Sequence, residues 1–147
     1  MSIPDLATSP AITPQVITTD AVSEHVLQWP SDSERDVFIH SDRWMRIIVA
    51  VAAAGLDSGI RVLYRFATNA ALTGTPLVLA DSGILLPAVL TAGAMIHVPI
   101  QARKLPEGYD FSGAWFDVVS EAGSGGFALR VDLVDAPESV PAINATP

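Results

Sequence analysis

Through the middle of this chain apolar and polar residues alternate with a period of two, which is the mark of strands that turn one face to a core. From Arg43 to Val51, Met45, Ile47, Val49 and Val51 share one face, and Trp44, Arg46, Ile48 and Ala50 share the other. From Ile60 to Phe66, Ile60, Val62, Tyr64 and Phe66 oppose Arg61, Leu63 and Arg65. Gly55, Asp57 and Gly59 lie between the two runs, and the pair reads as a hairpin. Ala94, Ile96, Val98 and Ile100 alternate with Met95, His97, Pro99 and Gln101, and Pro99 places this strand at an edge or a bulge. In the last run Phe127, Leu129, Val131 and Leu133 face inward while Arg130 and Asp132 face out. Trp115 to Ser120 supplies its partner across the turn Glu121 to Gly126, a second expected hairpin. Asp36 to His40 and Leu77 to Ala80 read as shorter strands, and Leu85 to Leu90, broken by Pro87, is ambiguous.

Seven or so short strands separated by Gly, Pro, Asn and Asp turns, with no helix beyond a turn or two, predict an all-β fold. Spacing alone fits a β-sandwich and a jelly roll equally. The ends differ from this middle. Pro4, Pro10, Pro14 and Pro30 are interleaved with Ser, Thr and Asp, and Pro137, Pro141 and Pro147 punctuate the other end. Such stretches favour extended backbone. The expected organisation is an extended N-terminal arm over 1–32, a core over 33–135 and a C-terminal tail over 136–147. Val16-Ile-Thr-Thr19 has the β-branched character to add a strand to an exposed sheet edge. In an isolated chain, termini of this composition usually stay disordered.

Composition sharpens the picture. The 147 residues are 50% hydrophobic and 16% charged, against roughly 25% charged in an ordinary soluble domain. Several strands carry apolar residues on their second face as well: Trp44 and Ile48, Leu63, and Trp115 and Val119. One core does not need them, so burial against something else is expected. We take Val16, Ile17, Trp29, Trp44, Ile48, Leu63, Trp115 and Val119 as candidate interface residues, and a homo-oligomer, dimer or trimer, as the expected state. The net charge of −8, with one lysine and seven scattered arginines, argues against direct binding to nucleic acid. The start, MSIPDLATSPAITPQ, has neither a basic stretch nor an apolar core, so no signal or transit peptide is expected. The longest apolar run, Ile47 to Leu56, is about half the ~20 residues of a membrane-spanning helix.

No enzyme is expected. The absence of cysteine removes thiolate catalysis, thiolate metal sites and disulfides. His25, His40 and His97 stand in no metal-ligand spacing, and the adjacency of His40, Ser41 and Asp42 is no triad, because a triad is assembled from separated segments. The glycine-rich Glu121 to Gly126 lacks the Lys-Ser/Thr end of a phosphate-binding loop, and it is not a nucleophile elbow. Asp32, Glu34 and Asp36 do not form a calcium loop. Neither a cofactor nor a metal is expected.

Three stretches, "VAVAAAGLDSGIRVLYRFATNAAL", "LADSGILLPAVLTAGAMIHVPI" and "AWFDVVSEAGSGGFALRVDL", lie within Trp44 to Leu133. They resemble the small capsid cement, or decoration, proteins of tailed bacteriophages. The shared pattern is an alternating strand with a small-residue turn (Val49 to Gly59), a Thr68-Asn-Ala-Ala71 loop, a Leu90-Thr-Ala-Gly93 turn and a closing hairpin around Gly123 to Gly126. The resemblance implies a jelly-roll-like, oligomeric virion protein, assembled in the bacterial cytoplasm, that lies on the outside of a phage head and clamps neighbouring major capsid subunits. A tail or fibre-attachment component, or a carbohydrate-binding β-sandwich with exposed aromatics on a concave face, is the alternative.

Overall fold

The computed structural model describes residues 15–17, 20–23, 25–40, 43–51, 59–118 and 127–134. Among them run strands β1 (Gln15–Ile17), β2 (Ala21–Val22) and β3 (Leu27–Gln28), helix α1 (Asp32–Ile39), and strands β4 (Trp44–Val51), β5 (Ile60–Ala67), β6 (Leu77–Leu85), β7 (Met95–Pro99), β8 (Phe111–Val118) and β9 (Phe127–Val134). Two antiparallel sheets form, one ordered β1-β9-β4-β7 and the other β2-β8-β5-β6, with β3 also paired to β8. Since β2 and β3 are successive pieces along one neighbour, each sheet has four positions. The chain changes sheet at every connection except β2–β3 and β5–β6. That path is the topology of a jelly roll, an all-β sandwich of two interlocked Greek keys.

Both expected hairpins are corrected by this topology. β4 and β5 lie in different sheets, and so do β8 and β9. Glycine and aspartate mark where the chain reverses, but not the sheet to which it returns. A gap of several residues easily spans the ~10 Å between packed sheets. The hairpin among the described residues is instead β5–β6, and β6 runs on past Ala80 to Leu85 through register shifts. Pro99 does close an edge strand, because β7 pairs with β4 alone. The segment 86–90, ambiguous in sequence, contains neither strand nor helix.

The expected strand at Asp36 to His40 is also overturned, by α1. Ser31 caps the helix, its Oγ accepting the Glu34 amide at 3.2 Å, and Asp32 and Glu34 place negative charge in the first turn, where the helix dipole favours it. Arg35, Phe38 and Ile39, at helical spacing, are the buried face. Nor does the sandwich begin at residue 33. Within the expected arm, β1 pairs with β9, and β2 and β3 pair with β8. Residues 1–14 and 136–147 lie outside the described residues.

The core fills the space between the sheets. Met45, Ile47 and Val49 of β4, Ile60, Val62, Tyr64 and Phe66 of β5, and Leu129 and Val131 of β9 are all fully buried. The faces read from sequence periodicity are therefore the observed ones. Tyr64 and Phe66 meet edge to face, with centroids 5.5 Å apart. One polar knot lies in this core. The Tyr64 hydroxyl donates to Ser112 Oγ at 2.7 Å, and Trp29 Nε1 donates to the same oxygen at 2.9 Å. Burial pushes the Tyr64 phenol above its ordinary pKa.

Gly59, just before β5, has φ +89°, and a Cβ there would lie 2.0 Å from the Leu85 carbonyl oxygen. Gly74, at φ +88°, has open space around it. Gly59→Ala should therefore cost about 3 kcal/mol, from strain plus a backbone shift, and Gly74→Ala only about 1 kcal/mol. Urea unfolding of the two variants checks this, and equal losses would show that the contact at Leu85 does not matter.

Candidate functional site

Each sheet has an outer face, and the two differ. On the β1-β9-β4-β7 sheet, the register sets three cross-strand rows side by side. Pro99, Trp44 and Val134 form one, His97, Arg46 and Asp132 the next, and Met95, Ile48 and Arg130 the third. Arg46 Nη2 donates to Asp132 Oδ2 in a tight ion pair, with side-chain exposures of 17% and 9%. Trp44, Ile48, Met95 and Val134 are partly buried around it. A low-dielectric frame of this kind strengthens the pair and raises the cost of losing either member. Burial, with the Arg46 charge beside it, holds the His97 imidazole below its ordinary 6.5.

On the other sheet the chain covers Leu63 and part of Trp115, while Val78 and Ile84 of β6, opposite Arg65 and Arg61, stay exposed. Leu63 sits directly opposite Trp115, and the Arg65 guanidinium lies over the Trp115 ring at 4.4 Å. Arg65 Nη1 also donates to the Leu72 carbonyl at 3.2 Å, and burial lowers the Arg65 pKa. Leu72 is fully buried despite φ +56°. It packs above Gly113, where a Cβ would come within 3.2 Å of Leu72 Cδ1. Asn69, from the Thr68-Asn-Ala-Ala71 loop, holds this loop in shape: its Oδ1 accepts the Thr73 amide and its Nδ2 donates to the Thr73 carbonyl. Beside this patch, Arg61 and Asp81 pair through both carboxylate oxygens, and the guanidinium holds the Asp81 carboxyl below the usual carboxylate range.

The candidate interface residues thus separate. Trp44 and Ile48 lie on one outer face, and Leu63, only 7% exposed, and Trp115 on the other. Ile17 is 1% exposed and belongs to the core, which withdraws it from any partner. Trp29 also packs inward, against Phe38 at a centroid distance of 4.7 Å. Val119 and the Val16 side chain lie outside the described residues. Sequence reading missed Met95 and Val134 as members of the first face. Their positions opposite Ile48 and Trp44 follow from the strand register, which the alternation pattern alone does not give.

A cleft of about 280 Å³ opens between β6 and β7, lined by Val78, Ala80, Asp81, Val98, Pro99 and Gln101 among others. Its one ionisable group, Asp81, is already committed to Arg61. His25, His40 and His97 are on separate segments. Among the described residues no group of three or more His, Asp or Glu could hold a metal ion, and no helix is long and apolar enough to cross a membrane. His40-Ser-Asp42 lies partly, and the Glu121 to Gly126 loop wholly, outside the described residues. Set beside protein-family models and curated proteins, the chain matches none.

Two outcomes test the first face. Asp132→Ala removes the carboxylate bonded to Arg46 and should cost about 2 kcal/mol, most of it recovered when Arg46→Leu and Asp132→Leu are combined. For His97 the folded chain holds its proton less tightly than the unfolded chain does. Its contribution is full above pH 6.5 and is lost as pH falls through the lowered folded value. His97→Gln should flatten that acid limb in urea unfolding, and an unchanged slope would show that His97 does not set it.

Proposed function

We propose that this protein is a structural virion component of the decoration class, which binds the outer surface of a phage head and clamps neighbouring major capsid subunits. The observation that carries the reading is the outer face of β1-β9-β4-β7. Trp44, Ile48, Met95 and Val134 frame an ion pair there, with the residue types that dominate protein interfaces: aromatic, methionine and arginine. The resemblance of Trp44 to Leu133 to capsid cement proteins implies a jelly-roll-like fold, and the described strands of that stretch follow a jelly roll. A fold alone names no function, so the weight rests on the face. In this reading the partner is the major capsid protein, the protein acts as a dimer or trimer, and its place is the outside of the virion, after assembly in the bacterial cytoplasm. It performs no catalysis and needs no cofactor.

The arrangement of tryptophans favours this reading over a carbohydrate-binding module. Trp29 is turned inward, Trp44 lies on one face, and Trp115 lies under Arg65 on the other. A sugar ring finds no shared aromatic platform. A tail or fibre-attachment component would use the same face on a different partner.

A ligand of the assembled state alone stabilises that state by mass action. Heads carrying the protein should therefore release DNA at a higher temperature than bare heads, and Trp44→Ser with Ile48→Ser should weaken head binding by at least about tenfold, or ~1.4 kcal/mol. Equal release temperatures would overturn the proposal. Binding to tails but not to heads would replace it with the tail reading.

A further inference from the structure

We propose that the seam between α1 and the segment 105–110 is an acid-tightened latch, closed by a proton on Asp110 beside the buried Arg35. The inference is independent of the proposed virion role. Arg35 is 1% exposed, and its guanidinium has five N–H groups to give. Nε and Nη2 donate to Asp36 Oδ1 at 3.1 and 3.0 Å, and Nη2 also reaches the Leu105 carbonyl at 3.3 Å. Nη1 donates to Asp32 Oδ1 at 3.3 Å and to the carbonyls of Pro106 and Tyr109 at 3.0 and 3.2 Å. These six contacts exhaust the donors. Asp110 Oδ1 lies 3.5 Å from Nη1 with no N–H left for it, and it is buried without a hydrogen-bond partner.

One positive charge therefore faces three carboxylates, and one oxygen lacks a donor. A proton on Asp110 corrects both defects, since it supplies the missing hydrogen bond and removes one negative charge. In keeping with this, the hydrogen bond to Asp32, burial and the Asp32 charge hold the Asp110 carboxyl above its ordinary 3.8, against the pull of Arg35. The folded state then binds this proton more tightly than the unfolded chain. The stabilisation is full below pH 3.8 and is lost as pH rises through the raised folded value. The seam carries weight for the fold, because α1 brings Phe38 onto Trp29 and buries Ile39. Several of the other ionisable groups near it are engaged elsewhere, and Glu107, within the segment itself, is exposed. Glu34 bonds Ser31 at the helix cap, the His40 ring Nδ1 meets the Asp36 carbonyl, the Tyr109 hydroxyl donates to the Thr75 carbonyl, and Arg43 lies over Phe38.

The readout must be local to α1, because His97 drives global stability the other way in acid. Hydrogen exchange of the α1 amides in the full chain, corrected for intrinsic rates, should show protection at least about threefold higher near pH 4.5 than near pH 7. Asp110→Asn gives Asp32 a permanent N–H donor, so its helix should be as protected at neutral pH as the parent is in acid, with the pH dependence gone. His40→Gln should keep the dependence. Protection that is flat or falls in acid in the parent would overturn the latch. So would a dependence that survives Asp110→Asn or disappears with His40→Gln. If Asp110→Asn does not fold, carboxyl-carbon NMR titration of the parent decides: an Asp110 midpoint at or below 3.8 overturns the proposal, and one above it upholds it.

Discussion

In a jelly roll, strands consecutive in sequence face each other across the core instead of lying side by side, so their alignment is set by what they bury and not by the turn between them. β4 and β5 show the consequence. Met45, Ile47 and Val49 on one strand and Ile60, Val62, Tyr64 and Phe66 on the other are all fully buried, while the strands hydrogen-bond to different neighbours. A slip of β4 by one residue would turn three core side chains outward and bring Arg46 inward. Each large apolar side chain so exposed costs about 1.5–3 kcal/mol, before any charge is buried. Register is therefore fixed by two predominantly apolar faces meeting, and the connecting loops are left unconstrained in length.

This constraint explains what the sequence made legible. Which residues of a strand face inward is a local matter of alternation, and the inward faces of β4, β5 and β9 follow from it directly, as does the edge position signalled by Pro99. Sheet membership is not local. The turn residues Gly55, Asp57 and Gly59 announce a reversal, and nothing in them distinguishes a hairpin from an arch between sheets. The helix was missed because Asp36 to His40 is too short for its period to be told from alternation. The signal that was available is Ser31 followed three residues later by Glu34, with Arg35, Phe38 and Ile39 at helical spacing. The prolines before residue 30 hid β2 and β3, although both fall between prolines and neither contains one, whereas β1 overlaps Val16-Ile-Thr-Thr19, whose β-branched character marks a strand.

The candidate interface was legible only in part, for a related reason. An apolar residue on the second face of a strand shows that something covers it, but not what. On the β2-β8-β5-β6 sheet the cover over Leu63 and Trp115 is the chain itself, while Val78 and Ile84 stay exposed. Gly113 has no side chain, Leu72 from the β5–β6 loop takes up the space, and Arg65 lies flat on Trp115. On the other sheet Trp44 and Ile48 flank a row of charged side chains. Composition treats both cases alike, and only the loop geometry set by Asn69 separates them.

The cations of this chain follow the same logic. Seven of its eight basic residues are arginine, and Arg35, Arg43, Arg46, Arg61 and Arg65 are among those fixed in contacts within the fold. These contacts need a planar, weakly hydrated fork. Arg65 stacks on an indole while donating to a carbonyl, and Arg35 bridges a helix to a loop through donors pointing in several directions at once. A lysine ammonium, strongly hydrated and without a planar face, does neither. Positive charge is thus placed where it fixes shape. Long-range attraction needs clustered like charge, and with the arginines scattered along the chain, association through the outer faces would rest on apolar contact and register, with charge acting at short range through pairs such as Arg46 and Asp132.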